Sequence, residues 1–155
     1  MGKIKIIGSD LVDLLDDDGS FRTGYLDRQT GEILVTYEDY DGPEQREVID
    51  KIDDNPSRYL RIESIGSRKG FRIMEKFVEA LPEGADQDLL AKVLSWKKPF
   101  SNFKSALADM DDLREQWFDF QNKELQRLAK QWLDFAEVDA EFISYEEAAR
   151  QRKTP

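Results

Sequence analysis

Neither cysteine nor histidine occurs among the 155 residues. Their absence excludes disulfides, thiolate zinc sites, cysteine nucleophiles and histidine-based triads together. No apolar run reaches the ~20 residues that a membrane-spanning helix needs. The opening MGKIKIIGSD has too short an apolar run for a secretory signal, and no small-residue cleavage site follows. Ile6 stands where a myristoylation signal on Gly2 wants Ser or Thr. A cytoplasmic protein without membrane association is therefore expected. Phosphate-binding glycine loops, a nucleophile elbow and the D/E-x-K element of many nucleases are missing as well. Proton transfer would fall to Asp, Glu, Lys or Tyr, and no pairing among them is specified. Catalytic residues, metal ligands and cofactors are accordingly all read as none.

What is present begins with nine Phe, five Tyr and three Trp, enough to rule out a wholly disordered chain. The length suits one domain, which buries roughly two-thirds of its unfolded surface. The net charge is −10, a balance that repels nucleic acid and anionic membranes on average. It is unevenly spread. Residues 1–57 hold 6 basic and 15 acidic side chains, a net of −9. Residues 58–108 hold 10 and 6, a net of +4, and residues 109–155 hold 7 and 12, a net of −5.

Along the chain, KIKII reads as a short strand or extended lead-in. One or two helical turns follow, with Ser9 or Asp10 as cap and Leu11, Leu14 and Leu15 on one face. The clearest β signal is SFRTGYLDRQTGEILVTYED. Its two runs, Phe21–Leu26 and Glu32–Tyr37, flank a turn in which Asp27 accepts amide hydrogens and Gly31 takes a positive φ. Ile33, Val35 and Tyr37 share one face of the second strand, and Leu34 and Thr36 the other. The polar stretch from Tyr37 to Ser57, with Pro43 and Pro56, is expected to be a long mobile connection with at most one helical turn at Val48, Ile49 and Ile52. RYLRIESIG returns to strand chemistry.

From Ser67 the apolar period is helical. Phe71, Met74, Phe77, Val78 and Leu81 mark a helix stopped near Pro82. A second opens at Ala85 or Asp86 and carries Leu89, Leu90, Val93, Leu94 and Trp96; a third starts at Pro99 with Phe100, Phe103 and Leu107. A long fourth helix runs from about Leu113 to Phe135, with Asp112 and Glu115 as a capping-box variant. Ser144 and Glu147 form a second box, so residues 137–155 read as a tail or short helix. The pattern predicts a single α+β domain over residues 1–136. Its small antiparallel sheet, a hairpin plus a third strand at Tyr59–Ile65, would be covered by a C-terminal group of about four helices. Tyr25, Ile33, Val35, Ile62, Phe71, Phe77, Trp117 and Trp132 are expected in or near the core.

On a helical wheel Trp117, Phe118, Phe120, Leu125, Leu128, Trp132 and Phe135 fall within an arc of about 160°. These rings are expected to face inward together. A base-stacking platform would need exposed rings interleaved with Lys and Arg. Arg114 lies inside the arc and should rest its stem against Trp117 or Phe118, or pair with Asp111.

Two charged stretches invite a site. Asp16, Asp17 and Asp18 form a run whose plain reading is a solvated helix end; weak Mg²⁺ capture is the alternative. Gly19, taken as the glycine of a calcium loop, would put Leu14 at the first ligand position, which fails. Arg58, Arg61, Arg68, Lys69 and Arg72 crowd a strand-to-helix junction with Gly66, Ser67 and Gly70. They are the candidate anion-binding residues, because helix N-termini and exposed amides favour anions. The competing reading is that they offset the acidic first third.

The segments GYLDRQTGEIL, RYLRIESIGSRKGFRIMEKFVEAL, FSNFKSAL and LREQWFDFQNKELQRLAKQWL resemble the bacterial uncharacterised protein family 0158. The likeness covers most of Lys3 to Leu133, and departs around Tyr40–Asp54 and beyond Ala136. It implies a bacterial origin and supports the α+β reading; the family carries no assigned activity or binding residue. The expected function is a non-catalytic interaction module with a protein partner of unknown identity. The alternative is a regulatory protein binding nucleic acid or phosphate through the basic 58–72 stretch. A third reading has the acidic first third capture a basic protein.

Overall fold

The computed structural model describes residues 3–17 and 19–153, with the side chains of 152 and 153 left aside. Gly2 and Asp18 lie outside the described residues. The elements run β1 (Ile4–Ile7), α1 (Gly8–Asp16), β2 (Arg22–Asp27), β3 (Ile33–Tyr37), α2 (Pro43–Asp54) and β4 (Tyr59–Ile62). There follow α3 (Gly66–Ala80), α4 (Ala85–Leu94), α5 (Pro99–Leu107), α6 (Asp111–Phe135), β5 (Ala140–Ile143) and α7 (Tyr145–Lys153). The protein is α+β: the hairpin has its third strand, and four helices succeed it. No helix among the described residues is long and apolar enough to cross a membrane. The chain forms two compact units, one of residues 1–64 and 126–155, the other of residues 65–125.

In the first unit β2 is the central strand of a three-stranded antiparallel sheet, order β3-β2-β4. Gly24 stands opposite Val35 on one side and Ile62 on the other. A Cβ at Gly24 would run into the Leu14 side chain, so glycine here lets α1 lie flush on the sheet. Leu11, Leu14, Leu15, Leu26 and Ile62 are buried around that contact. α1 begins at Gly8 with Ile7 as N-cap and no side-chain cap, so neither Ser9 nor Asp10 caps it.

The segment after α6 holds a strand as well as a helix. β5 pairs in parallel with β1, Ile4 beside Ala140 through Ile7 beside Ile143. AEFI is too short to announce itself, and its partner lies at the far end of the chain. Ser144 does cap α7: its Oγ accepts the Glu147 N–H at 3.1 Å. The Tyr145 hydroxyl donates to the Asp10 carboxylate, joining α7 to α1.

Residues 43–54 are no mobile connection but a helix of 12 residues. Gly42 is its N-cap and Pro43 its first residue, where proline's missing N–H costs nothing. None of its residues is fully buried. The single turn expected at Val48, Ile49 and Ile52 extends in both directions through the densely charged PEQREVIDKIDD.

The second unit is helical and closes on a ring cluster. Phe77, Phe103 and Trp117 meet edge-on with centroids 6.4, 5.4 and 5.0 Å apart, and Phe120 lies 5.5 Å from Phe77. Such pairs contribute beyond their area burial. Ile73, Met74, Leu90, Val93, Leu107 and Leu125 complete the packing. α3 ends at Ala80 because Leu81, preceding Pro82, is forced into extended backbone.

The long helix departs from the wheel. Its buried line is Trp117, Leu125, Ala129 and Leu133, spaced by eight, four and four residues, which winds slowly around the axis. Trp132 and Phe120 are half-buried, while Phe118 is exposed and Phe135 is 91% exposed. The rings therefore do not all face inward: a fixed wheel cannot follow a buried stripe that drifts by about 40° with every fourth residue. Of the expected core residues, Ile62, Phe77 and Trp117 are buried and the other five half-buried. Asp112 stands inside α6 rather than capping it, and Trp96 lies exposed beyond the end of α4. Arg114 rests its guanidinium 5.5 Å from the Phe118 ring centroid.

Candidate functional site

Asp27 is the one buried charged residue of the described chain, at 1% exposure. It ends β2 and its carboxylate organises the hairpin turn. Oδ1 accepts the N–H groups of Gln29 (2.8 Å) and Thr30 (3.3 Å) and the Nε of Arg58 (3.0 Å); Oδ2 accepts Arg58 Nη2 at 2.8 Å. Burial pushes this carboxyl upward, but the Arg58 guanidinium and the two turn amides outweigh it and hold the pKa at about 2, against an ordinary 3.8. Gly31 closes the turn at φ +84, and a Cβ there would strike the Lys5 carbonyl. This polar knot is structural. Both of its carboxylate oxygens are engaged by the chain itself.

β3 is an edge strand, and its outer side is the informative one. Asp27 donates to the Glu32 carbonyl (2.8 Å) and Glu38 to that of Phe21 (2.9 Å), which fixes the alternation of the ladder. Ile33, Val35 and Tyr37 consequently turn their N–H and C=O groups away from β2. At Tyr37 both are taken by the side-chain amide of Gln45: Tyr37 N–H donates to Oε1 at 2.8 Å, and Nε2 donates to the Tyr37 carbonyl at 2.8 Å. Gln45 Nε2 also donates to the Tyr40 carbonyl at 2.5 Å. The primary amide thus occupies one rung of the edge as a neighbouring strand would. No hydrogen bond from another described residue reaches the outward groups of Ile33 and Val35.

Beside that edge lies a cavity of about 530 Å³ lined by Phe21, Val35, Tyr37, Asp39, Tyr40, Glu44, Gln45 and Val48. Phe21, Tyr37 and Tyr40 are 55%, 42% and 49% exposed, with Phe21 and Tyr37 edge to face at 6.1 Å. Their surroundings are acidic. Residues 32–54 hold 9 acidic and 2 basic side chains, a net of −7. One of the two cations, Arg46, donates from Nε and Nη2 to Asp41 (3.1 and 3.0 Å), which holds the Asp41 carboxyl below its usual range. Aromatic rings framed by carboxylates make a surface suited to a cationic or amphipathic group. Sequence reading passed over it as a connection. The available signal was YEDYDG, from Tyr37 to Gly42, where two tyrosines stand among acids.

The basic residues of 58–72 have varied employment. Arg58 is committed to Asp27 and lies over the Tyr59 ring. On α3, Arg72 pairs with Glu75 (3.7 Å) and Glu79 (3.1 Å). Arg61 on β4, and Arg68 and Lys69 in the first turn of α3, are exposed and have no ion-pair partner among the described residues. In the acidic run, Asp17 accepts the Gly19 N–H and pairs with Arg22 at 3.6 Å, Asp16 is exposed, and Asp18 is outside the described residues. No group of three or more carboxylates among the described residues is placed to hold a metal ion.

Comparison with known proteins identifies a family and a relative. A curated relative, the UPF0158 protein PA5073 of Pseudomonas aeruginosa, is 28% identical over 130 residues, covering 84% of this chain and 78% of its own length. No solved structure gives a significant match. The profile of the Uncharacterised protein family (UPF0158) matches residues 6–153, α7 and the departures at 40–54 included, and the chain belongs to that family.

Proposed function

We propose that the protein is a non-catalytic interaction module that binds another protein through the groove between β3 and α2. The reading rests on one observation above all: Phe21, Tyr37 and Tyr40 stand exposed together beside a strand edge that no other described strand covers. Single exposed rings are ordinary, whereas rings gathered around a groove mark interaction surfaces. The absence of histidine and cysteine, and the engagement of Asp27 within its own turn, give a catalytic reading nothing to build on. The test is a Phe21→Ala/Tyr37→Ala double variant, compared with the native chain for partners crosslinked in cells. Loss of partners with an unchanged melting curve supports the reading. Recovery of the same partners from both overturns it.

A second reading, nucleic-acid or phosphate binding, draws on Arg61, Arg68 and Lys69, the cations of the basic stretch without ion-pair partners among the described residues. Salt-dependent retention of RNA, weakened when these three are replaced by alanine, would favour it. No retention at low salt would remove it.

A further inference from the structure

We infer that the groove takes an extended, cationic segment of a partner protein, added as a strand along the outer edge of β3, with a Lys or Arg side chain set against Phe21, Tyr37 and Tyr40. This rests on the reading of the groove as a docking face and names the chemistry of its occupant.

Three independent features specify that occupant. The first is the backbone. Ile33 and Val35 present N–H and C=O groups outward in ladder geometry, which an extended chain satisfies and a helix does not. Gln45 already demonstrates the pairing at Tyr37, where its planar amide bonds both groups at 2.8 Å. The second is room. A cavity of about 650 Å³ borders the Ile33 end of the strand and one of about 530 Å³ borders the Tyr37 end. A strand laid between them would place alternate side chains toward the groove. The third is charge. Asp39 and Glu44 line the groove within a segment of net −7, and exposed aromatic faces attract cations. A second copy of this chain would bring the same negative charge against itself, so the partner is a different, basic chain.

The test uses the full chain and a fluorescent ten-residue peptide of alternating Lys and Val. It should bind saturably. Its Glu–Val counterpart, and a Lys–Val peptide N-methylated on alternate backbone amides, should each bind about tenfold more weakly or worse. The Val35→Pro variant removes an outward N–H while leaving the β2–β3 bonds intact, and should lose binding by a similar factor. Should that variant melt early, the N-methylated peptide on the native chain decides the matter. Equal binding of the methylated and unmethylated peptides overturns strand addition. Equal or tighter binding of the Glu–Val peptide overturns the cationic partner. Failure of every peptide, with cellular partners still lost from the Phe21→Ala/Tyr37→Ala variant, overturns this inference and leaves the docking face standing.

Discussion

Two aromatic groups of this protein have similar composition and opposite surroundings. Phe77, Phe103 and Trp117, in the unit of residues 65–125, meet edge-on among Ile73, Leu107 and Leu125 and are sealed from solvent. Phe21, Tyr37 and Tyr40, in the other unit, are about half exposed and ringed by carboxylates. The buried trio lies on helices whose apolar faces repeat over several turns. The exposed trio sits where a short edge strand hands over to a helix with no buried residue. Ring chemistry is common to both. What differs is whether neighbouring elements supply apolar surface on every side.

The comparison predicts a steep asymmetry under truncation. Trp117→Ala, which opens a cavity among Phe77 and Phe103, should cost about 3–5 kcal/mol in urea unfolding. Trp132→Ala, at a half-buried ring, should cost clearly less. A Trp117 variant of native stability would erase the distinction between the two groups.

Asp27→Asn should come next, at about 3 kcal/mol, because it leaves Arg58 and two turn amides facing a neutral group. The pH dependence has a definite sign. A carboxyl held at about 2 when folded and 3.8 ordinarily contributes stability that is complete above 3.8 and disappears as pH falls through that window. The Asn variant should therefore show a flatter acid limb in pH-dependent thermal melts. An unchanged limb would show that Asp27 is not what the hairpin loses in acid.

Phe21→Ala with Tyr37→Ala should cost about 1 kcal/mol or less, since mainly one exposed ring pair is lost. A larger loss would make the groove a core feature and not a docking surface. Smallest of all is Tyr59→Phe. The Tyr59 hydroxyl is buried without a hydrogen-bond partner among the described residues, so its removal should leave stability unchanged or raise it by about 0.5 kcal/mol. A measurable loss would assign that hydroxyl a partner or a role.

The hairpin was legible in detail because its determinants are local. Asp27 accepts the amides two and three residues on, and Gly31 supplies the positive φ, as the turn residues predict. The boundaries at Pro82 and Pro99 and the Ser144 cap were equally local. The strand Ala140–Ile143 was invisible, since four residues with no long alternation become a strand only when β1 lies alongside. Of helix α2 only the turn at Val48, Ile49 and Ile52 was legible. Within the candidate anion set, Arg58 pairs with a carboxylate 31 positions earlier and Arg72 with its own helix, pairings that the basic stretch by itself does not announce.

By itself the sequence determined the α+β class, the hairpin and its turn, the helical second half and the absence of thiol and imidazole chemistry. Each depends on residue type or on spacing within a few positions. Tertiary structure alone decided which rings are covered, that the chain's two ends pair as parallel strands, and that β3 keeps an open side against an acidic groove. Burial and pairing depend on what stands opposite a residue in space, and neighbours along the chain do not specify that.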